Sequence, residues 1–220
     1  MMRVTLKSIT IFVALLTGIF AFVPTKARGG AAEAFTTAPA AVIPLVDNLT
    51  RLDMIDYYRA GLTTMSRNNL GEESRLIALG EDSVVLKLSE KVTQAIYLLP
   101  LKNDTIYAVV KTYKLPALDS SIKFYDSEWN QIDTNKIITL PGRENWLIKP
   151  NRESKAKLAE NLTVVTAALT IDVAAGELTF TNTLADLLPL ESMEAVKDDI
   201  KPRLVYTWNR SKGSFKPVQQ

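Results

Sequence analysis

The stretch SRLIALGEDSVVLKLSEKVTQAIYLLPLKNDTIYAVVKTYKLPALDSSIKFYDSEW, from Ser74 to Trp129, decides the fold. Within it Val84, Leu86 and Leu88 alternate with Val85, Lys87 and Ser89. Ile106, Ala108 and Val110 alternate with Tyr107, Val109 and Lys111, and Ile122 and Phe124 alternate with Lys123 and Tyr125. A period of two sends successive side chains to opposite faces, so each run reads as a half-buried strand. Gly80-Glu81-Asp82-Ser83, Lys102-Asn103-Asp104 and Leu118-Asp119-Ser120-Ser121 read as the turns between runs, because Gly, Asn, Asp and Ser suit reversals. Short connections predict antiparallel neighbours, hence a meander.

On the N-terminal side, Arg28 to Ala34 reads as a polar, small-residue lead-in without fixed structure. Pro39 and Pro44 restrict Phe35–Val46 to short helical turns. Thr50 to Ala60 reads as a helix, with Thr50 as N-cap, Asp53 completing a capping box, Leu49 and Met54 as a staple and Gly61 as the stop. Leu52, Ile55 and Tyr58 are expected to face the sheet. Asp53 and Asp56 are read as capping and solvated-face residues.

On the C-terminal side, Asp133 to Asn161 lacks periodicity and reads as an excursion carrying one exposed helix, Arg152 to Glu160. Strands are expected over Leu162–Val173 and Glu177–Asn182. Thr183 with Asp186 suggests a capped helix ended by Pro189. Met193, Val196 and Ile200 have helical spacing. Arg203–Asn209 and Gly213–Lys216 form a closing hairpin, with Leu204, Tyr206 and Trp208 on one face. The fold class is therefore α+β: short N-terminal helices packed on a curved, mainly antiparallel β-sheet.

Arg3 and Lys7 precede an apolar run from Ile9 to Val23, and Thr25-Lys26-Ala27 follows as a small-x-small cleavage pattern. A signal peptide over residues 1–27 and a single domain over residues 28–220 are expected, an uncleaved anchor being the alternative. The apolar run is short of the roughly 20 residues that a membrane span needs, and no later segment approaches that length. Subtracting Arg3, Lys7 and Lys26 from the 26 basic residues leaves 23 against 24 acidic ones, a net charge of −1. That balance supports neither nucleic-acid binding nor attachment to anionic membranes. The chain has no Cys and no His. Disulfides, a lipid-modified cysteine and Ser-His-Asp or Cys-His catalysis are thereby excluded, and an exported protein without disulfides fits a bacterial periplasmic or surface setting.

Three segments together carry a resemblance: Phe35–Leu45 (FTTAPAAVIPL), Arg51–Tyr58 (RLDMIDYY) and Pro116–Trp129 (PALDSSIKFYDSEW). With the apolar leader ahead of them and Tyr206 and Trp208 in the closing hairpin, the chain resembles the Bacteroidales secreted family catalogued as domain of unknown function 3256. The resemblance implies an exported protein of uncharacterised function and supplies no catalytic residues.

No phosphate loop, dinucleotide turn, zincin helix or nucleophile elbow occurs, and no cofactor is expected. Asp119, Asp126 and Glu128, near the Phe124–Trp129 corner, are the candidates for a carboxylate hydrolase of glycosidase type. Their alternative role is to cap backbone amides in turns. The binding reading rests on Tyr107, Lys111, Tyr113, Lys123 and Tyr125, which alternate with the apolar set. Register permitting, they form one aromatic-and-lysine face suited to a protein or glycan partner. Val109 lies in the same row and calls for cover, so helices or the 133–161 segment could instead lie over this face.

Overall fold

The computed structural model describes residues 30–62, 65–161 and 164–218. The expected leader and the cleavage point after Ala27 lie outside these residues. The meander is present and longer than its alternation suggested. Strands β1 (Ser66–Arg67), β2 (Glu73–Leu79), β3 (Ser83–Lys87), β4 (Val92–Pro100), β5 (Thr105–Lys114), β6 (Leu118–Tyr125) and β7 (Gln131–Ile132) lie side by side in chain order. Every neighbouring pair is antiparallel. Alternation did not reveal β4 because Ala95, Ile96, Leu98 and Leu99 are all buried: a central strand covered on both faces reads as a continuous apolar run. In β2 the register shifts between Leu76 and Ala78, and this bulge breaks the period.

A second antiparallel sheet follows. It contains β8 (Ala167–Asp172), β9 (Glu177–Asn182), β10 (Arg203–Asn209) and β11 (Ser214–Pro217), in the order β11-β10-β9-β8. Ile106, Ala108, Val110, Ile122 and Phe124 form one face of the first sheet. They pack against Leu169, Leu178, Phe180, Leu204, Tyr206 and Phe215 of the second. The sheets also meet edge to edge through side chains. Ser120 Oγ accepts the Leu169 amide at 3.0 Å, Asp119 Oδ1 accepts the Ala167 amide at 3.3 Å, and the Thr183 hydroxyl donates to the Leu118 carbonyl at 2.6 Å.

The segment between the sheets contains the helix expected over Arg152–Glu160, and it is packed into the core rather than standing apart from it. It holds α3 (Thr134–Ile137), a 3-10 turn (Arg143–Trp146) and α4 (Arg152–Asn161). Ile137, Ile138, Trp146, Leu147 and Leu158 are buried in the same core. Leu147 bridges to Ile200 beyond α5 (Leu190–Val196), so the segment closes one end of that core. Trp146 and Leu147 are isolated anchors, which have no period to read.

The opposite face of the first sheet carries a second core of Val84, Leu86, Leu88, Ile96, Leu98, Val109 and Tyr125. Its cover is α1 (Ala31–Thr37), the turns after it, and α2 (Asn48–Arg59). From Ala31 onward the supposed lead-in is thus helical. Ala31 and Ala34 are buried because small side chains let α1 lie close to β3 and β4. The N-cap of α2 is Asp47 rather than Thr50, its carboxylate accepting the Thr50 amide at 2.9 Å. Gly61, at φ +69, ends the helix in a Schellman arrangement, the Leu62 amide reaching Tyr57 O and its own amide reaching Tyr58 O.

The buried side of α2 is Arg51, Met54 and Ile55, while Leu49, Leu52 and Tyr58 are exposed, so the staple does not form. Arg51 explains the rotation. Only 1% exposed, it donates Nε to Val46 O at 2.9 Å and Nη1 to Phe35 O and Ala38 O at 3.1 and 2.6 Å. A guanidinium satisfied by carbonyls at the end of α1 clamps α1, the 38–46 turns and α2 together. Elsewhere, β6 begins at Leu118, so the reversal lies at Leu115–Ala117 and not at 118–121. Ser120 stands in the strand because its hydroxyl meets Thr112 Oγ1 at 2.8 Å. Thr183 does not cap the 3-10 turn Leu184–Asp186; Asn182 Oδ1 accepts the Leu184 amide instead.

Candidate functional site

The β5–β6 register pairs Tyr107 with Tyr125, Val109 with Lys123, Lys111 with Ser121, and Tyr113 with Asp119. Residues paired in this way share a face. Tyr107, Lys111, Tyr113, Lys123 and Tyr125 are therefore brought onto one surface, the side covered in part by the N-terminal helices. β4 adds Leu98, Ile96, Gln94 and Val92 to the successive rows.

Cover divides the face along its length. At one end Tyr125 is buried at 7% exposure, in the second core with Val109, and offers no free ring to a ligand. Tyr107 is half-buried at the rim. At the other end Lys123 and Ser121 are exposed, Lys111 is half-buried and Tyr113 is exposed. Among the described residues, neither Lys111 nor Lys123 has a carboxylate partner. Burial, followed by the neighbouring Lys123 ammonium, holds the Lys111 amine below the usual lysine range. Across from Lys111, Gln94 is 2% exposed; its Nε2 donates to Val42 O at 3.1 Å and its Oε1 has no hydrogen-bond partner.

Trp129 joins this face from the loop after β6 and was not part of the sequence-based set. Its ring centroid lies 4.6 Å from Tyr107 and 5.6 Å from Tyr125. Its φ is +66, the left-handed region that non-glycine residues rarely adopt. Asp126 builds the loop that holds it: Oδ1 accepts the amides of Glu128 and Asn130, and Oδ2 accepts Asn130 Nδ2, each at 2.9 Å. Partial burial raises the Asp126 carboxyl, but these hydrogen bonds outweigh it and hold the group below its ordinary value. The Asp-x-x-x-Asn pattern was a legible turn signal. That the turn would lift a tryptophan onto two tyrosines was not.

Burial, then the nearby Glu33, Asp104 and Asp126, pushes the Tyr107 hydroxyl up. The carboxylate alternative finds no such convergence. Asp119 and Asp126 stand at opposite ends of β6, about 23 Å apart at the rise of a strand. That exceeds the separation either glycosidase geometry uses. Glu128 shares the turn of Asp126, whose carboxylate is taken up by the Glu128 and Asn130 amides. Among the described residues, no three Asp or Glu side chains gather as metal ligands. A cleft of about 540 Å³ between α2 and β2 is lined by Tyr57, Tyr58, Leu62, Arg75 and Ile77, with no carboxylate among the described residues of its lining.

The sequence profile described as Protein of unknown function (DUF3256) matches residues 26–213. Among solved structures, the chain is similar to a domain of an uncharacterized protein from Porphyromonas gingivalis W83. The two share 22% identity with a TM-score of 0.73, over 86% of this chain and 98% of that one, which is a likeness of fold. A comparison with curated proteins found no match.

Proposed function

The chain belongs to the DUF3256 family of proteins of unknown function, and from that premise we propose that it is an exported, non-catalytic binding protein of the cell envelope. Its ligand rests on the open part of the β5–β6 face, on Lys111, Tyr113 and Lys123, with Tyr107 at the rim. The observation that carries this reading is the Lys111–Lys123 pair. Two ammonium groups on neighbouring strands repel one another, and among the described residues no carboxylate relieves them. Exposed aromatic rings are enriched at recognition surfaces, and a lysine pair beside one adds charge that an anionic partner would neutralise. Export is supported by Arg3, Lys7, the Ile9–Val23 run and Thr25-x-Ala27. Among the described residues no helix is long and apolar enough to cross a membrane.

The test is co-sedimentation of the mature chain with the insoluble cell-wall fraction of its producing cells. Wild type should sediment, and a Lys111→Ala, Tyr113→Ala, Lys123→Ala variant should stay in the supernatant with its melting temperature kept. Equal sedimentation of the two proteins, or none of either, overturns the binding face. Export is tested by mass spectrometry of the envelope protein, which should begin at Arg28.

A further inference from the structure

We infer that the ligand of this face is an acidic glycan, a chain of sugars bearing carboxylate or sulfate groups, whose anions meet Lys111 and Lys123 while sugar faces rest on Trp129 and Tyr113. The inference rests on the binding reading above and names its ligand class.

Charge selects an anion. Lys111 and Lys123 sit diagonally on adjacent strands, with Ser121 completing their corner of the face. Side chains in that relation are about 5–8 Å apart at their Cβ atoms. They can therefore take one anionic group together or two successive groups along a polymer. The surrounding charge does not favour larger polyanions: the chain is close to neutral overall, and polybasic recognition of a membrane surface takes clusters of about 4–8 basic residues.

Shape selects a sugar over a peptide. An acidic peptide gains most of its affinity for a sheet by adding a strand at an edge, through backbone hydrogen bonds in the sheet plane. Here the lysines project from a face, where no ladder is available and an extended peptide would keep its own amides unpaired. Sugars have apolar C–H faces that lie on aromatic rings and hydroxyls that bond to groups such as Ser121. The rings stand at the two ends of the strip. Tyr107, under Trp129, and Tyr113 are six residues apart on β5, about 20 Å at the strand rise. The lysines fall between them.

Trp129 supplies the independent observation. Its left-handed backbone is a strained conformation that only surrounding structure can maintain, and Asp126 maintains it with three hydrogen bonds. The outcome of that strain is a half-buried indole that packs on Tyr107 and Tyr125 at the margin of the second core, with Nε1 3.4 Å from Thr37 Oγ1. It turns its uncovered surface to the head of the lysine track.

The experiment is calorimetric titration of the mature full chain with four probes: oligogalacturonate, sulfated dextran oligosaccharide, unsulfated dextran and poly-glutamate. At least one acidic sugar should bind, more weakly as salt is added, while unsulfated dextran and poly-glutamate do not. Lys111→Gln with Lys123→Gln should lose at least tenfold in affinity at unchanged melting temperature. Trp129→Gly, which accepts the positive φ but lacks the ring, should also lose at least tenfold. Equal binding of dextran, binding of poly-glutamate as tightly as the acidic sugars, or binding of no acidic sugar overturns the glycan assignment. If cell-wall sedimentation still depends on Lys111, Tyr113 and Lys123 in those cases, the binding face stands and only its ligand class falls. If sedimentation fails as well, both fall.

Discussion

The two faces of the seven-stranded sheet are sealed in different ways. Toward the second sheet, the centre of the contact is apolar, with Phe124, Ala108 and Val110 meeting Leu178, Phe180 and Phe215. Hydrogen bonds such as the Leu169 amide to Ser120 Oγ and Trp208 Nε1 to Pro100 O lie around it. Toward the helices, apolar residues share the work with buried polar groups. Arg51 binds three carbonyls, Gln94 reaches Val42 O, and Asn68 donates Nδ2 to Ser74 Oγ and Leu88 O at 3.0 and 2.8 Å. The lesson is one of mechanism. Two sheets satisfy most of their backbone within their own ladders and pack mainly by apolar area, whereas irregular turns and short helices leave backbone groups that must be paired where they lie.

Breaking the apolar face should give the largest loss. Phe124, with no exposed surface, changed to Ala should destabilise by about 3–5 kcal/mol in a urea melt. Arg51→Met should come next. It strands three carbonyls at about 1 kcal/mol each, roughly 3 in all. A wild-type midpoint for Arg51→Met would show that the helices are held by area after all, and the contrast between faces would disappear.

The Trp129 loop sharpens the comparison through pH. The Asp126 carboxyl is held below its ordinary value, so its stabilisation is full above pH 3.8 and is lost as pH falls through the lower, folded value. The melting temperature of wild type should therefore fall more steeply below pH 3.8 than that of Asp126→Asn. Parallel curves would mean that the loop adds nothing to stability.

The smallest expected effect has the opposite sign. The Lys111 amine is held below its ordinary 10.5, so its charged form costs stability until pH rises through the folded value, and the cost is gone above 10.5. Lys111→Met should then be neutral or stabilising at pH 7, by at most about 0.5 kcal/mol, with the gain absent above pH 10.5. A clear loss at pH 7 would assign Lys111 a structural role and weaken its place in the ligand track.

Legibility followed the same division. Where the second face of a strand is at least partly polar, alternation placed β3, β5, β6, β9 and β10, and also the residues that share the candidate face. Where both faces are covered, as in β4, alternation vanished. The helical cover was read with α2 rotated, because a buried arginine that binds carbonyls looks in sequence like a solvated one. Within the candidate face, parity put Tyr125 in line with Lys123 and Val109 called for cover, but nothing in the pattern said how far along the strip that cover would reach or that Trp129 would join it. Trp129 escaped notice because no residue type advertises a left-handed tryptophan.

The joint between β6 and β8 has a consequence beyond folding. An exposed strand edge recruits copies of itself, and ladders that meet such an edge can grow from chain to chain. In this molecule the amides of Ala167 and Leu169 are engaged by Asp119 and Ser120 side chains, which offer one oxygen each and no ladder to extend. The same few atoms that tie one sheet to the other thus keep β8 from acting as a template. Ser120→Ala would leave the Leu169 amide to water or to the strand of a neighbouring molecule, and Asp119 alone would then guard this stretch of the β8 edge.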